Sequence, residues 1–302
     1  MYKNNAKIGF VGFTYPAPKE LSTLDKAYWQ MKAAKEMGCG VFVPSPFGVS
    51  PEDMNKIYEK MAEYGFETEG RLSPSAFELV GWQGADPVKA REVFEQSLVD
   101  AKARGLKILR GAWGRLKAQT TRWNTTPGWT GAEQKANLIA SLKVAAPLLE
   151  KYGLYGALEN HLDFTGKEFD EIYTAVGSKH VGCAYDTANG FFTNTDPNED
   201  IDYMSKWAIT THIKDTKIID SCFGGANGPL VPVGCILGQG NVDVKRALDT
   251  ILAVSPMRDG IHLIIETGWF GKEVQDANPD MDAYNHMITI ESMKYLKNYL
   301  TI

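Results

Sequence analysis

The chain has 302 residues, 44% hydrophobic and 23% charged, with a formal net charge of −5. This is a globular composition at a length that buries a large core. An acidic chain lacks the electrostatic grip for nucleic acid, and no run approaches the ~18 apolar residues of a membrane span.

Short apolar runs alternate with longer amphipathic segments. The first strand is expected over Ile8 to Phe13, followed by a helix from Leu24 to Met37 that stops at Gly38. Gly40 to Val43 is the second strand. Its helix runs from Pro51 to Tyr64, with Ser50 as N-cap and Pro51 in the first turn. Phe66 to Leu72 is the third strand, Pro87 to Arg104 a helix, and Leu106 to Arg110 the fourth strand. A long connection follows, carrying Trp113, Arg115, Arg122, Trp123 and Trp129, before a helix from about Gly131 to Tyr152. Tyr155 to Glu159 and Val181 to Tyr185 are the fifth and sixth strands, with helices near Lys167 to Val176 and Asn198 to Trp207. Ile209 to Ile213 is the seventh strand. A loop rich in glycine and proline, Gly224 to Gly240, leads to a helix near Val242. Ile261 to Ile265 is the eighth strand, and a helix from about Met281 to Tyr299 closes the chain.

Eight strand–helix alternations imply a parallel sheet, and at this length closure is more economical than an open sheet. The expected fold class is α/β, a (β/α)₈ TIM barrel forming a single domain over residues 1–302. The first strand is not followed by the Gly-x-Gly-x-x-Gly turn of an open dinucleotide-binding sheet. The N-terminus has no signal-peptide apolar region, so the expectation is a cytoplasmic protein. Cys39 and Cys183 read as buried thiols, and a disulfide between Cys222 and Cys235 is disfavoured.

Barrel active sites lie at the C-terminal ends of the strands. The last four strands each end in a metal-competent side chain: Glu159, Asp186, His212 and Glu266. A carboxylate straight after an apolar strand is expensive unless paired or ligated. Alone, each would read as a loop cap or a core histidine; together they converge on one point. Three carboxylates and an imidazole suit one divalent ion, Mn²⁺ first, with Mg²⁺, Co²⁺ or Zn²⁺ as alternatives.

His161 shares a strand face with Glu159 and is placed as a general base, the alternative being a hydrogen bond that supports the metal ligands. Lys214 shares the face of His212 and could stabilise an oxyanion or pair with Asp215 or a barrel carboxylate. Gly238-Gln239-Gly240-Asn241-Val242-Asp243 reads as a tight turn plus N-cap, with backbone N–H groups that could receive an anion. His180, His262 and His286 read as structural. Trp113 and Trp269 are expected around the mouth, where aromatic rings stack on sugars, the alternative being that one or two of the tryptophans belong to the loop core.

Taken as a set, Leu158-Glu159-Asn160-His161, Tyr185-Asp186-Thr187-Ala188-Asn189, Thr211-His212-Ile213-Lys214-Asp215, Gly238-x-Gly240-x-x-Asp243 and Ile265-Glu266 resemble the sugar-phosphate isomerase/epimerase superfamily of xylose-isomerase-like barrels. The resemblance implies that Glu159, Asp186, His212 and Glu266 hold Mn²⁺ or a similar ion. In its ketose 3-epimerases the two metal-bound glutamates exchange the substrate proton, which would be Glu159 and Glu266. Those enzymes carry a substrate-binding histidine where this chain has Asn189, and an arginine where it has Ile218. A second branch, similar to the catalytic subunit of bacterial C-glycoside deglycosidases, uses the histidine of a Glu-Asn-His segment as base, here His161.

The favoured expectation is a lyase that cleaves 3-oxo-glycosides by elimination. Its catalytic residues would be His161, Glu159, Glu266 and Lys214, and its substrate contacts Asn189, Trp113, Arg115 and Trp269. That branch implies a small partner subunit and a higher oligomer. The alternative is a sugar isomerase or epimerase. A non-catalytic sugar-binding module is the non-enzyme reading. Endonucleases acting at abasic DNA sites share the barrel but need many zinc-binding histidines, and this chain has five histidines in all.

Overall fold

A computed structural model describes residues 2–45, 49–114, 130–221, 228–268 and 270–302. Among them, one sheet has the strand order β1 (Lys7–Phe10), β9 (His262–Ile265), β6 (Ala208–Ile213), β5 (Val181–Asp186), β4 (Tyr155–Glu159), β3 (Ile108–Ala112) and β2 (Gly70–Arg71). The pairs β1–β9, β2–β3, β3–β4 and β4–β5 are all parallel. The predicted second strand is present only as single parallel bridges, Val11 to Val43 and Val41 to Glu67. Gly9 explains the close approach there: a Cβ on it would sit 1.9 Å from the Val41 carbonyl oxygen.

The described residues form two compact units, each assembled from discontinuous segments. Unit 1 comprises residues 1–68, 212–252 and 258–302. It contains β1, β9, α1 (Thr23–Glu36), α2 (Pro51–Tyr64), α7 (Val244–Val254), the short α8 (Lys272–Ala277) and α9 (Met281–Leu300). Phe10, Met31, Phe42, Ile57 and Met61 are fully buried in it. Ser22 and Ser50 cap α1 and α2 by accepting from the N–H groups of Asp25 and Asp53.

Unit 1 also holds an antiparallel hairpin that the sequence reading missed, β7 (Asp215–Asp220) with β8 (Leu230–Cys235). Pro232 lies within β8, opposite Ile218. A proline cannot donate to a ladder, which argues against a central strand but not against a two-stranded ribbon.

Unit 2 comprises residues 69–211 and 253–257. It contains β2 to β5, most of β6, and α3 (Pro87–Ala103), α4 (Gly131–Tyr152), α5 (Gly166–Val176) and α6 (Pro197–Met204). Full capping boxes start α4 and α5, with Thr130 paired to Glu133 and Thr165 to Glu168. Phe94, Leu98, Phe169 and Tyr173 are fully buried. A buried polar triad also lies here. Arg110 donates to Glu69 from Nε at 3.0 Å and Nη2 at 2.7 Å, and Thr210 Oγ1 donates to the other Glu69 oxygen. No helix among the described residues is long and apolar enough to cross a membrane.

Candidate metal centre

Parallel strands all run the same way, so residues at their C-terminal ends share one rim. Glu159 ends β4 and Asp186 ends β5. His212 is the penultimate residue of β6, and Glu266 follows β9, its N–H donating to the Ile213 carbonyl at 3.3 Å. One ligand atom from each of Glu159, Asp186, His212 and Glu266 lies within 4.8 Å of the other three. Donors around one ion at 2.0–2.4 Å are separated by at most roughly 4–5 Å, so this spacing fits a single cation. Asp186, His212 and Glu266 are buried, and Glu159 is half-buried. Three carboxylates gathered on one point, two of them buried, repel one another, and a cation there would offset that cost.

A backbone clamp holds one member of the cluster, Asp186. The Asn160 side chain pairs with both edges of one residue: its amide donates to the Asp186 carbonyl at 2.9 Å, and its oxygen accepts from the Asp186 N–H at 2.8 Å. Oδ1 of Asp186 accepts from the N–H groups of Ala188 and Asn189 at 2.9 and 3.0 Å. The Asn189 side chain is buried and donates to the Asn160 carbonyl at 2.9 Å, which makes it part of this clamp.

Lys214 is buried, with Nζ 2.6 Å from Glu266 Oε2, so it pairs with a barrel carboxylate. Nδ1 of His212 lies 3.5 Å from Glu266 Oε1. His161 places Nδ1 2.9 Å from the Gly114 carbonyl oxygen. A carbonyl can only accept, so this bond places a proton on Nδ1.

The turn after β8 corrects one expectation. Its backbone N–H groups do converge on an anion, but the anion is internal. Oδ2 of Asp215 accepts from Gly238 and Gly240 at 2.9 and 2.8 Å, while Oδ1 accepts from Thr216 and Val242 at 2.8 and 3.2 Å. Burial pushes the Asp215 carboxyl above its ordinary value, and the four N–H groups oppose that shift. A Cβ on Gly240 would come within 2.1 Å of Asp215 Oδ1, so the second glycine of the motif makes room for this carboxylate.

Trp113 is 5% exposed and its indole N–H donates to Gln134 at 2.9 Å, with Phe77 edge-on to its ring. It packs in the loop interior rather than on an open rim. Arg115, Trp269 and Cys222 lie outside the described residues; Cys39, Cys183 and Cys235 are free thiols.

The three remaining histidines bond within the protein. Nε2 of His262 is 2.9 Å from Glu67, Nδ1 of His180 is 2.8 Å from the Leu154 carbonyl, and Nε2 of His286 is 2.6 Å from the Pro16 carbonyl. Sequence reasoning passed over Asp163. It is fully buried and accepts from the N–H groups of Gly114, His161 and Phe164. The only local signal was an aspartate two residues after His161.

The chain is thus an α/β protein with a parallel sheet and a three-carboxylate, one-imidazole cluster at its strand ends that could hold one metal ion. The chain belongs to the xylose isomerase-like TIM barrel family, which it matches over residues 31–299. A search of the curated proteins finds no match. Similar solved structures include a xylose isomerase-like TIM barrel protein from Mycobacterium smegmatis in complex with magnesium. It is 15% identical, with TM-score 0.67 and coverage of 100% of this chain and 99% of the other. An L-ribulose 3-epimerase is 16% identical, with TM-score 0.63 and coverage of 98% and 94%. A D-allulose 3-epimerase from Methylomonas sp., in complex with D-allulose, is 14% identical, with TM-score 0.62 and coverage of 99% and 98%. At these identities the likeness is one of fold.

Proposed function

We propose that this protein is a divalent-metal-dependent enzyme that removes a proton next to the carbonyl of a sugar, working as one catalytic domain over residues 1–302 in the cytoplasm. The carrying observation is the convergence of Glu159, Asp186, His212 and Glu266 within 4.8 Å. Their oxygen-rich donor set suits Mn²⁺ first. When bound, the ion supplies Lewis acidity at the carbonyl and hydroxyl oxygens of the sugar.

The finer reading is elimination from a 3-oxo-glycoside, and the His161 geometry favours it. With its proton held on Nδ1 by Gly114, His161 offers Nε2 to the C2 proton. The electron pair from that C–H bond forms the C1–C2 double bond as the aglycone leaves C1 with its bonding electrons. Lys214 places a cation against Glu266, which suits a fixed anion better than a proton carrier. A small partner subunit and a higher oligomer accompany this reading.

The second reading is epimerisation of a ketose. Glu159 would take the proton and Glu266 return one to the opposite face. It is favoured by the presence of both glutamates in the cluster and by the similarity to structures described as L-ribulose and D-allulose 3-epimerases.

One experiment separates the two. The protein is incubated with Mn²⁺ and 4-nitrophenyl 3-oxo-glucoside, and in parallel with D-allulose, D-tagatose and L-ribulose. Release of 4-nitrophenol selects elimination; a new ketose epimer selects epimerisation. Chelation should abolish either activity, and turnover that survives metal removal would overturn the proposal.

A further inference from the structure

We propose that Asp163 is a positioning residue that holds His161 in the tautomer carrying its proton on Nδ1, an inference that rests on the reading of His161 as the base. Five hydrogen bonds tie the two residues and the Gly114 backbone together. The His161 ring donates to the Gly114 carbonyl at 2.9 Å, and the Leu162 N–H donates to the same oxygen at 3.0 Å. The N–H of Gly114 donates to Asp163 Oδ2 at 2.7 Å. Oδ1 of Asp163 accepts from the His161 and Phe164 N–H groups at 3.2 and 2.8 Å. One carboxylate therefore grips the backbone of the histidine and the backbone of the residue that orients its ring.

Gly114 is where such a grip is needed. Its φ of +92° lies in the region that favours glycine, and among the described residues a Cβ there would meet nothing within 4 Å. The glycine thus serves conformation rather than space, and a glycine peptide that is free to rotate would not aim its carbonyl. Pinning its N–H and its oxygen together fixes that aim.

A buried carboxylate is a costly way to tie two loops unless its acceptor capacity is used, and here three backbone donors use it. Burial pushes the Asp163 carboxyl up to about 6 despite those bonds. The ordering follows the general pattern in which the hydrogen bond at one imidazole nitrogen decides the chemistry of the other.

The test reads the tautomer directly. Protein labelled with ¹⁵N-histidine and loaded with Mg²⁺ is examined by two-bond ¹⁵N–¹H correlation at pH 8, with His161 assigned by the signal missing from His161→Ala. The wild type should show a protonated Nδ1 and an unprotonated Nε2. An Nε2-protonated or averaged ring would overturn the inference without any variant at Asp163.

Asp163→Asn should keep stoichiometric metal and a cooperative melt while the His161 ring moves toward an averaged tautomer. Its kcat, on whichever probe the wild type turns over, should fall by roughly ten-fold or more, with KM changed less than about two-fold. A wild-type tautomer in Asp163→Asn would also overturn it. If Asp163→Asn does not fold, Asp163→Ser takes its place with the same readouts. Undiminished turnover in His161→Ala would sink the base reading, whereas a changed tautomer in the Asp163 variant would still establish the positioning.

Discussion

Asp215→Ala removes one carboxylate and leaves four backbone donors without their acceptor, those of Thr216, Gly238, Gly240 and Val242. Thr216 and Val242 are buried, where an unmet donor costs about 1–3 kcal/mol, whereas Gly240 is half-buried and Gly238 exposed, so their N–H groups can turn to water. Water entering the emptied volume recovers part of that, and deleting a poorly solvated carboxylate recovers more, which leaves a net loss of about 3 kcal/mol. Unfolding entropy near 2.1 cal/mol/K per residue amounts to about 0.6 kcal/mol/K for this length, so the melting temperature should fall by roughly 5 °C. Asp215→Asn should fall between Asp215→Ala and the wild type, because each Asp215 oxygen serves two N–H groups and an amide can present only one oxygen. Gly240→Ala should reach a similar loss by a steric route, since its Cβ would sit 2.1 Å from Asp215 Oδ1 and 2.7 Å from the Thr216 carbonyl oxygen. Scanning calorimetry of the three variants decides the matter. A melt of Asp215→Ala within about 1 °C of wild type would refute the claim that this carboxylate organises the turn.

Three further outcomes are expected. Glu159→Gln and His212→Ala should each lose stoichiometric Mn²⁺ in metal analysis after gel filtration, and full retention in either would remove that residue from the ligand set. Hydrogen bonds from His262 and then Lys7 hold the Glu67 carboxyl down to about 2. A lowered acid stabilises the fold above its unfolded pKa, and that contribution disappears as pH falls from about 4.5 toward 2. Glu67→Gln should therefore flatten the loss of melting temperature across that window, and an unchanged slope would count against the pairing. Arg110→Ala leaves Glu69 buried without its guanidinium partner and should cost about 3–5 kcal/mol in denaturant unfolding. The double variant Glu69→Leu/Arg110→Met should be more stable than that single variant, and the reverse order would show that the pair acts otherwise.

Much of the site was legible because its signal is local. An apolar run that ends in Glu159, Asp186, His212 or Glu266 is anomalous on the strand itself, and parallel strands must bring such ends to one rim. Capping was legible for the same reason, since Ser50 and its partner at Asp53 lie within one turn. The hairpin β7–β8 was hidden because Pro232 and the surrounding glycines read as loop, and only the pairing with Ile218 shows that a two-stranded ribbon accommodates them.

Sequence alone indicated the strand–helix alternation and the four side chains that gather at the strand ends, Glu159, Asp186, His212 and Glu266, whereas β4 stops at Glu159 and leaves His161 beyond the strand on which a shared face was expected. Only the tertiary structure decided which donors satisfy the buried carboxylates. Asp163 reaches back to Gly114, Asp215 reaches forward to Gly238, Gly240 and Val242, and Lys214 closes on Glu266. The physical reason is that a carboxylate's type is written in the chain, whereas its acceptor capacity is filled by whatever N–H groups or cations the fold brings within 3 Å. The same reason turned the N–H groups of the Gly238–Val242 turn from an expected anion site into the cradle of an internal aspartate, and took Trp113 from the expected mouth into a bond with Gln134.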